Sequence, residues 1–404
     1  MSVKSHQEIG QQQKLVAFHE YSPGCAFFLP HGVKIYNKLV EFLRKEYRKR
    51  GFDEVSTPNI FHVDLWKKSG HWEKYRKNMF VFPVKENNEE EDDLYALKAM
   101  NCPSHCLLFK NASHSYKELP IRYADFGVLH RNELRGALHG LTRVRKFCQD
   151  DAHIFLRQDQ IAEEISSCIG FMNDVYKLFN FSSIDIELST RPEEYIGSID
   201  TWNHAEQCLL EALIESKLKY TINKGDGAFY GPKIDIHIKD AYGRSNQCAT
   251  IQLDFQLPER FELEYATSTI GVKQRPVMIH RAIFGSFERF LGILMEHTQG
   301  KWPFWLSPRQ AMILPVNPSS YDYAKKVYSL LYDQGFDVEM DMSADTLDKR
   351  VKMAELEEFN YIIVVGPRDE KNLSLVLRDR NRNQETLSMD DCMRKFHLLK
   401  SSYT

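Results

Sequence analysis

The sequence predicts an α+β domain built on an antiparallel sheet, followed by an α/β domain. Two stretches, residues 184–188 and 233–239, alternate apolar with polar side chains. A period of two is typical of strands with one buried face, which antiparallel sheets accommodate. The N-terminal part of the chain is therefore expected to hold an antiparallel sheet.

The C-terminal part has a different pattern. Residues 311–316 and 361–365 are continuous apolar runs, and helical patterns lie between them. Buried strands that alternate with helices predict βαβ units in a separate domain. We place the boundary near residue 305, which gives domains of residues 1–304 and 305–404.

The first domain should open with an amphipathic helix. Apolar residues recur at helical spacing over residues 33–50, and Gly51 ends the pattern. A strand at 53–57 should follow and stop at Pro58. An acidic run at 86–93 predicts a solvated loop between two further strands.

The middle of the chain predicts two long strands and a helix. The pattern over residues 120–155 is strand, charged loop, strand, and residues 158–180 have helical periodicity. A short apolar strand at 276–279 is expected to run into a helix at 281–297.

Composition excludes several classes of protein. The chain has 404 residues, with 43% hydrophobic and 27% charged residues and a net charge of −3, which is typical of a globular protein. No apolar run approaches the roughly 20 residues that span a bilayer, so no membrane association is expected. Eight cysteines without framework spacing indicate a reducing compartment.

Three scattered residues could hold zinc. Cys102, His153 and His280 lie in segments rich in polar residues, and one thiolate with two imidazoles leaves a coordination position open for substrate. The alternative is that these residues are simply packed, because the chain has 15 His and 8 Cys and lacks the C-x-x-C spacing of zinc fingers.

Fixed cations flank a predicted loop. Arg131 precedes it, Arg143 and Arg145 follow it, and Arg289 lies on the predicted helix at 281–297. Permanently charged arginines suit phosphate groups. For any one of them, a surface salt bridge is the alternative.

These segments resemble the class II aminoacyl-tRNA synthetases. Residues 50–58 resemble motif 1, whose proline lies at the dimer interface; residues 130–133 through 143–147 resemble motif 2, and residues 280–289 resemble motif 3. Further segments are similar to the threonyl-tRNA synthetase family: residues 100–103, 138–143, 149–155, 225–235 and 250–255. The resemblance extends from about residue 8 to the end.

The resemblance implies a zinc-based threonine site. Zinc held by Cys102, His153 and His280 would bind the amino and hydroxyl groups of threonine and so exclude valine. The implied substrate-binding residues are Met100, Gln149, Asp151, Tyr230 and Gln252. From residue type alone, Tyr230 could instead be a turn residue and Asp151 a surface charge.

The same resemblance implies an ATP site with Mg²⁺ bridging the phosphates. Arg131 would contact the substrate carboxylate and the α-phosphate, Arg289 the γ-phosphate, and Phe147 would stack on adenine, although an isolated Phe could be core. The residues implied to complete the site are Glu133, Arg143, Gln247 and Thr250.

The final domain resembles the anticodon-binding domain of class II synthetases. Arg378 and Arg380, with Arg382, could contact the anticodon loop of tRNA(Thr). The alternative is a strand edge made soluble by charge. Arg135 stands where the family has a small residue and would face the acceptor end, and Ser104 replaces the usual Gly after Asn-Cys-Pro.

The resemblance therefore implies a homodimeric enzyme that joins threonine to tRNA(Thr). Threonyl enzymes commonly carry N-terminal domains. From the start of this chain we expect no cis editing site and a location in the mitochondrial matrix, with a shortened cytoplasmic enzyme as the alternative. Two other functions remain open: a catalytically silent tRNA-binding paralogue, and a synthetase for another amino acid such as proline or serine.

Overall fold

The structure is a computed structural model that describes residues 3–85, 93–181, 184–239 and 242–404. Most of the predicted acidic loop, residues 86–92, lies outside these ranges. Among the described residues, no helix has the length and apolar character needed to cross a membrane.

The strands are, in chain order, β1 Val16–Ala17, β2 Phe27–Phe28, β3 Asp53–Glu54, β4 Ile60–His62, β5 Val81–Val84, β6 Asp93–Leu97, β7 His114–Ser115, β8 Ile121–His130, β9 Lys146–Leu156, β10 Ile184–Ser189, β11 Thr221–Asn223, β12 Lys233–Lys239, β13 Ser245–Asp254, β14 Tyr265–Ala266, β15 Lys273–Gln274, β16 Val277–Ser286, β17 Ala311–Pro315, β18 Val338–Met340, β19 Tyr361–Val365, β20 Ser374–Asp379 and β21 Gln384–Ser388.

The helices are α1 His6–Gln12, α2 Pro30–Lys49, α3 Val63–Ser69, α4 His71–Tyr75, α5 Cys102–Lys110, α6 Ile161–Leu178, α7 Ile199–Ser216, α8 Gln256–Arg260, α9 Phe287–Thr298, α10 Tyr321–Asp333, α11 Leu347–Leu356, α12 Pro367–Asn372 and α13 Met389–Ser401. The helices predicted at 33–50 and 158–180 correspond to α2 and α6.

The described residues form two compact units. The large unit contains Phe18–Ala26 and Phe42–His297, and the small unit contains residues 3–17, Phe27–Glu41 and Thr298–Thr404. The division into domains at residue 305 remains a prediction.

The large unit is built on an eight-stranded sheet in the order β11-β10-β12-β13-β16-β9-β8-β3. The pairs between β10 and β8 are antiparallel, and only the outer pairs, β10 with β11 and β8 with β3, are parallel. The predicted antiparallel sheet is therefore confirmed. The strand predicted at 53–57 is shorter, because β3 is an edge strand that pairs over two residues only.

The prediction of a helix from Arg281 is wrong. Strand β16 continues to Ser286, and α9 begins at Phe287. Residues 277–284 are all buried, because β16 lies between β13 and β9 near the centre of the sheet. An apolar run buried on both faces has no alternation, so its periodicity cannot distinguish a strand from a helix.

The small unit contains a five-stranded sheet in the order β18-β17-β19-β20-β21. Strand β17 pairs parallel with β18 and β19, whereas β19 with β20 and β20 with β21 are antiparallel. The predicted βαβ units are confirmed by β17-α10-β18-α11-β19. Buried residues including Ile313, Val327 and Phe396 form the core of this unit.

Candidate active site

Three neighbouring strands of the large sheet align the predicted site residues in rows. In one row Gln252, His280 and His153 are direct partners across β13, β16 and β9. In the next row, Thr250 and Asp151 lie on either side of Ala282. Because side chains two residues apart on a strand share a face, both rows belong to one face of the sheet.

The structure brings Cys102, His153 and His280 together. Their candidate ligand atoms all lie within 4.8 Å of one another, and all three residues are buried. Cys102 is the first residue of α5. Spacing along the chain could not show this convergence, because α5, β9 and β16 meet only in the folded sheet.

Both imidazoles, those of His153 and His280, have hydrogen-bond partners that fix their orientation beside Cys102. His280 donates from Nε2 to Asp254 Oδ2 at 2.8 Å, and His153 Nδ1 lies 2.7 Å from His105 Nδ1. If His153 donates to His105, the lone pairs on His153 Nε2 and His280 Nδ1 face each other at 3.0 Å. In that tautomer both nitrogens present lone pairs to the same region, which is the kind of donor set that a zinc ion takes.

The pKa shifts of His153 and Cys102 bear on how these two residues would hold a metal. Burial, followed by His105 and His280, lowers the pKa of His153 well below its usual value, which keeps the ring neutral. Burial and then Asp151 raise the pKa of the Cys102 thiol. A buried thiol beside a carboxylate keeps its proton unless a cation offsets the negative charge, and a bound metal provides that charge.

Four of the predicted threonine-binding residues lie near these ligands, and the fifth, Gln149, lines an adjoining cavity. Asp151 accepts a hydrogen bond from Asn101 Nδ2 at 3.0 Å, and a side chain at Gly127 would collide with that Asn101 amide. The ring of Tyr230 lies 5.1 Å from that of His280. Gln252 donates to the Gly231 carbonyl, and Met100 packs on the apolar cluster that contains Cys102.

Sequence reasoning missed three histidine and carboxylate neighbours. His105 and Asp254 contact the ligand imidazoles, and the buried His71 ring lies 3.8 Å from the Cys102 sulfur. Burial lowers the pKa of His71 to about 3. Two of these residues could have been found from the sequence. His105 lies about one helical turn after Cys102, and Asp254 lies two residues after Gln252 and so on the same face of the strand.

A cavity of about 420 Å³ adjoins this site. Its lining includes three arginines and one glutamate, Arg131, Arg143, Arg289 and Glu133, together with Phe147, Gln149, Gln247 and Thr250. An excess of cations in a concave site suits a polyanion. Every residue predicted to bind ATP lies on this wall.

Arg131 is positioned over aromatic rings. Its guanidinium carbon lies 5.0 Å from the centre of the Phe147 ring and 5.7 Å from that of Tyr75. Phe147 is 7% exposed and packs with Leu129 and Val144. It is therefore both a core residue and part of the cavity wall.

An ion pair and several hydrogen bonds fix the positions of the remaining cavity residues. Arg143 pairs with Glu133 at 2.9 Å. Gln247 and Thr250 both donate to the buried carboxylate of Asp235, which the sequence did not single out. Arg289 donates to the carbonyls of Thr142 and Gln247, each at 3.0 Å. Arg289 is the third residue of α9, and not a residue well inside the helix as the predicted boundary implied.

We expect the substitution Gly285→Ala to destabilise the protein by about 1–3 kcal/mol. Gly285 has φ +74°, and an added Cβ would lie 2.5 Å from the Cys248 carbonyl oxygen. The control is Gly170→Ala on the exposed face of α6, where an added Cβ meets nothing within 4 Å. Urea unfolding should show a lower midpoint for Gly285→Ala and no such decrease for Gly170→Ala. Equal midpoints for the two variants would contradict the expected backbone strain and collision of an alanine at position 285.

The predicted tRNA contacts differ in exposure. Arg135 is exposed on the loop after β8. Arg378 pairs with Glu355, and Arg380 donates to the backbone carbonyls of Trp302 and Glu358. In this conformation the guanidinium groups of Arg378 and Arg380 bind partners within the small unit.

Comparison with known proteins identifies the class first. A family model described as the tRNA synthetase class II core domain (G, H, P, S and T) matches residues 82–298, and one described as an anticodon binding domain matches residues 310–397. The chain therefore belongs to the class II aminoacyl-tRNA synthetases.

Individual relatives identify the family within that class. The chain is 48% identical to a crystal structure titled as the RNA binding domain of threonyl-tRNA synthetase from Cryptosporidium parvum, with a TM-score of 0.95 and 98% of each chain covered. It thus belongs to the threonyl-tRNA synthetase family.

Longer relatives carry the same name. The chain is 52% identical to a probable threonine–tRNA ligase 1, cytoplasmic, of Dictyostelium discoideum, over 100% of this chain and 56% of the relative. It is 54% identical to the human threonine–tRNA ligase 1, cytoplasmic, over 94% of this chain and 52% of the relative. The chain spans about half the length of these relatives. Because both are named as cytoplasmic, the prediction of a mitochondrial-matrix protein is wrong.

Proposed function

We propose that this chain activates threonine with ATP and transfers it to the 3′ end of tRNA(Thr). One observation carries the proposal: the Cys102, His153 and His280 group shares a sheet face with a cavity lined by three arginines. A metal-type donor set beside a polyanion site is the arrangement needed to hold an amino acid against ATP.

In the proposed first step, a carboxylate oxygen of threonine attacks the α-phosphorus of ATP, which carries Mg²⁺, and pyrophosphate leaves. Arg131 would stabilise the charge at the carboxylate and α-phosphate, and Arg289 would bind the γ-phosphate. Phe147 would stack on adenine. Glu133, Arg143, Gln247 and Thr250 would complete the ATP site, and Asp235 would orient the last two of these.

Selection of threonine would depend on Cys102, His153 and His280. When bound there, zinc supplies a Lewis-acid position that recognises the amino and hydroxyl groups of threonine. Asp151, Tyr230, Gln149, Gln252 and Met100 would orient the same substrate. Valine has nearly the same shape and lacks the hydroxyl, so a site built around that hydroxyl rejects it strongly.

In the second step, the 3′-terminal hydroxyl of tRNA would attack the threonyl carbonyl and release AMP. We propose Arg135 near the acceptor end, and Arg378 and Arg380 at the anticodon loop, where Arg380 would have to exchange its present carbonyl partners. The family relationship supports a cytoplasmic location, and the motif 1 resemblance at residues 50–58 supports a homodimer.

The test is charging of tRNA by the zinc-loaded protein. We expect labelled threonine to be attached to tRNA(Thr), and not to a transcript that lacks the 3′-terminal adenosine. Binding of tRNA without charging would favour a catalytically silent paralogue, and charging with proline or serine in preference to threonine would identify a different synthetase.

A further inference from the structure

The pairing of β9 with β16 contains an irregularity beside the proposed ATP site. Ala282 pairs with Asp151 and Ser286 pairs with Gln149, so three residues of β16, Ile283 to Gly285, lie opposite Asp150 alone. Such a bulge leaves backbone N–H groups of one strand without the ladder partners they would otherwise have. Buried N–H groups need another acceptor.

The Asp150 side chain provides that acceptor. Its Oδ2 accepts from the Ile283 N–H at 2.7 Å, and its Oδ1 accepts from the Phe284 N–H at 3.0 Å. One carboxylate thus replaces two backbone acceptors at the bulge. Asp150 is fully buried and is not among the residues that line the cavity.

Two further residues, Tyr47 and Arg281, stabilise the buried carboxylate of Asp150. The Tyr47 hydroxyl donates to Asp150 at 3.0 Å and accepts from Arg281 Nη1 at 3.0 Å. The Arg281 guanidinium is also buried, and its central carbon lies 4.6 Å from the centres of the Tyr47 and Phe52 rings. Burial raises the pKa of Asp150 to about 7, and Arg281 opposes that rise.

Helix α9 begins directly after the bulge. Gly285 takes its left-handed conformation within the bulge, Ser286 closes it, and α9 begins at the next residue. Arg289 donates its backbone N–H to Ser286 Oγ at 3.1 Å. A change in the bulge would therefore move Ser286 and Arg289, which both line the cavity.

We propose that Asp150 is a positioning residue for ATP binding, because its carboxylate holds the β16 bulge that presents Arg289 to the nucleotide. The inference rests on the proposed function, since it assumes that the cavity binds ATP. It differs from the role of Asp151, which lies on the opposite side of β9 and faces the proposed threonine site.

The test uses Asp150→Asn. Both carboxylate oxygens accept an N–H, so the amide nitrogen of Asn must face one of two backbone donors. We expect ATP affinity, measured by equilibrium binding of ATP with Mg²⁺ to the full chain, to fall tenfold or more. Zinc content and the circular dichroism spectrum should match those of the unchanged protein.

The control is Glu164→Gln, which alters another buried carboxylate of the large unit, one that pairs with Arg122 outside the site. A folded Asp150→Asn protein with ATP affinity within twofold of the unchanged protein would overturn the inference, as would an equal loss in Glu164→Gln. If Asp150→Asn does not fold, Tyr47→Phe decides: about threefold weaker ATP binding supports the inference and unchanged binding overturns it. Failure of the unchanged protein to bind ATP would instead refute the proposed function.

Discussion

Replacing Arg131 with alanine is expected to slow threonine-dependent ATP–pyrophosphate exchange by about a hundredfold or more. Its guanidinium lies over Phe147 on the cavity wall, where it would face the charge that grows as the carboxylate attacks the α-phosphate. Loss of such a contact costs about 3 kcal/mol of transition-state stabilisation, which corresponds to that factor in rate.

The matched control for Arg131 is Arg157→Ala. Arg157 pairs with Asp159 and does not line the cavity, so this variant should exchange pyrophosphate at the normal rate. If Arg131→Ala kept near-normal exchange, the assignment of residues 130–147 to the nucleotide site would be wrong.

Replacing Cys102 with alanine is expected to remove bound zinc and threonine activation together. The unchanged protein should hold about one zinc per chain, because three protein ligands leave one position for substrate. With Cys102 removed, only two imidazoles remain, which is too few for a stable site. Metal analysis of the purified protein measures the first effect, and pyrophosphate exchange measures the second.

Cys106→Ala is the control for that experiment. Cys106 is also buried in α5, its sulfur lies 3.8 Å from Met278, and it does not belong to the candidate ligand group of Cys102, His153 and His280. This variant should keep its zinc. Full zinc content in Cys102→Ala, or a fully active preparation without zinc, would contradict the proposed ligand set.

The parts of the fold that sequence could predict are those with a clear period. The alternation at residues 184–188 and 233–239 predicted half-buried strands, and β10 and β12 are indeed antiparallel partners. The apolar runs at 311–316 and 361–365 predicted the parallel pair β17 and β19. In each case the residue pattern within a single strand was sufficient to predict that strand.

The boundary between β16 and α9 could not be predicted for a physical reason. Residues 277–284 are buried on both faces, so their apolar character carries no period. The bulge that ends the strand depends on Asp150, which lies more than a hundred residues earlier in the chain. Such a contact is absent from any local pattern.

The candidate site likewise contains residues that could be predicted from the sequence and residues that could not. Family resemblance selected Cys102, His153 and His280, which the structure brings together, whereas His105, Asp125 and Asp254 support them through tertiary contacts. Asp125, for example, lies 3.5 Å from His105 Nε2 and accepts a hydrogen bond from Thr57. For Arg378 and Arg380, charge and spacing could be predicted from the sequence, but their partners within the small unit could not.

The most direct test of the account compares amino acids in ATP–pyrophosphate exchange with the zinc-loaded protein. We expect fast exchange with threonine, and exchange about 10–200-fold slower with serine, which lacks only a methyl group. Valine lacks the hydroxyl that the metal site would recognise and should support negligible exchange. Valine activation equal to that of serine, or exchange that proline stimulates and threonine does not, would contradict a threonine site at Cys102, His153 and His280.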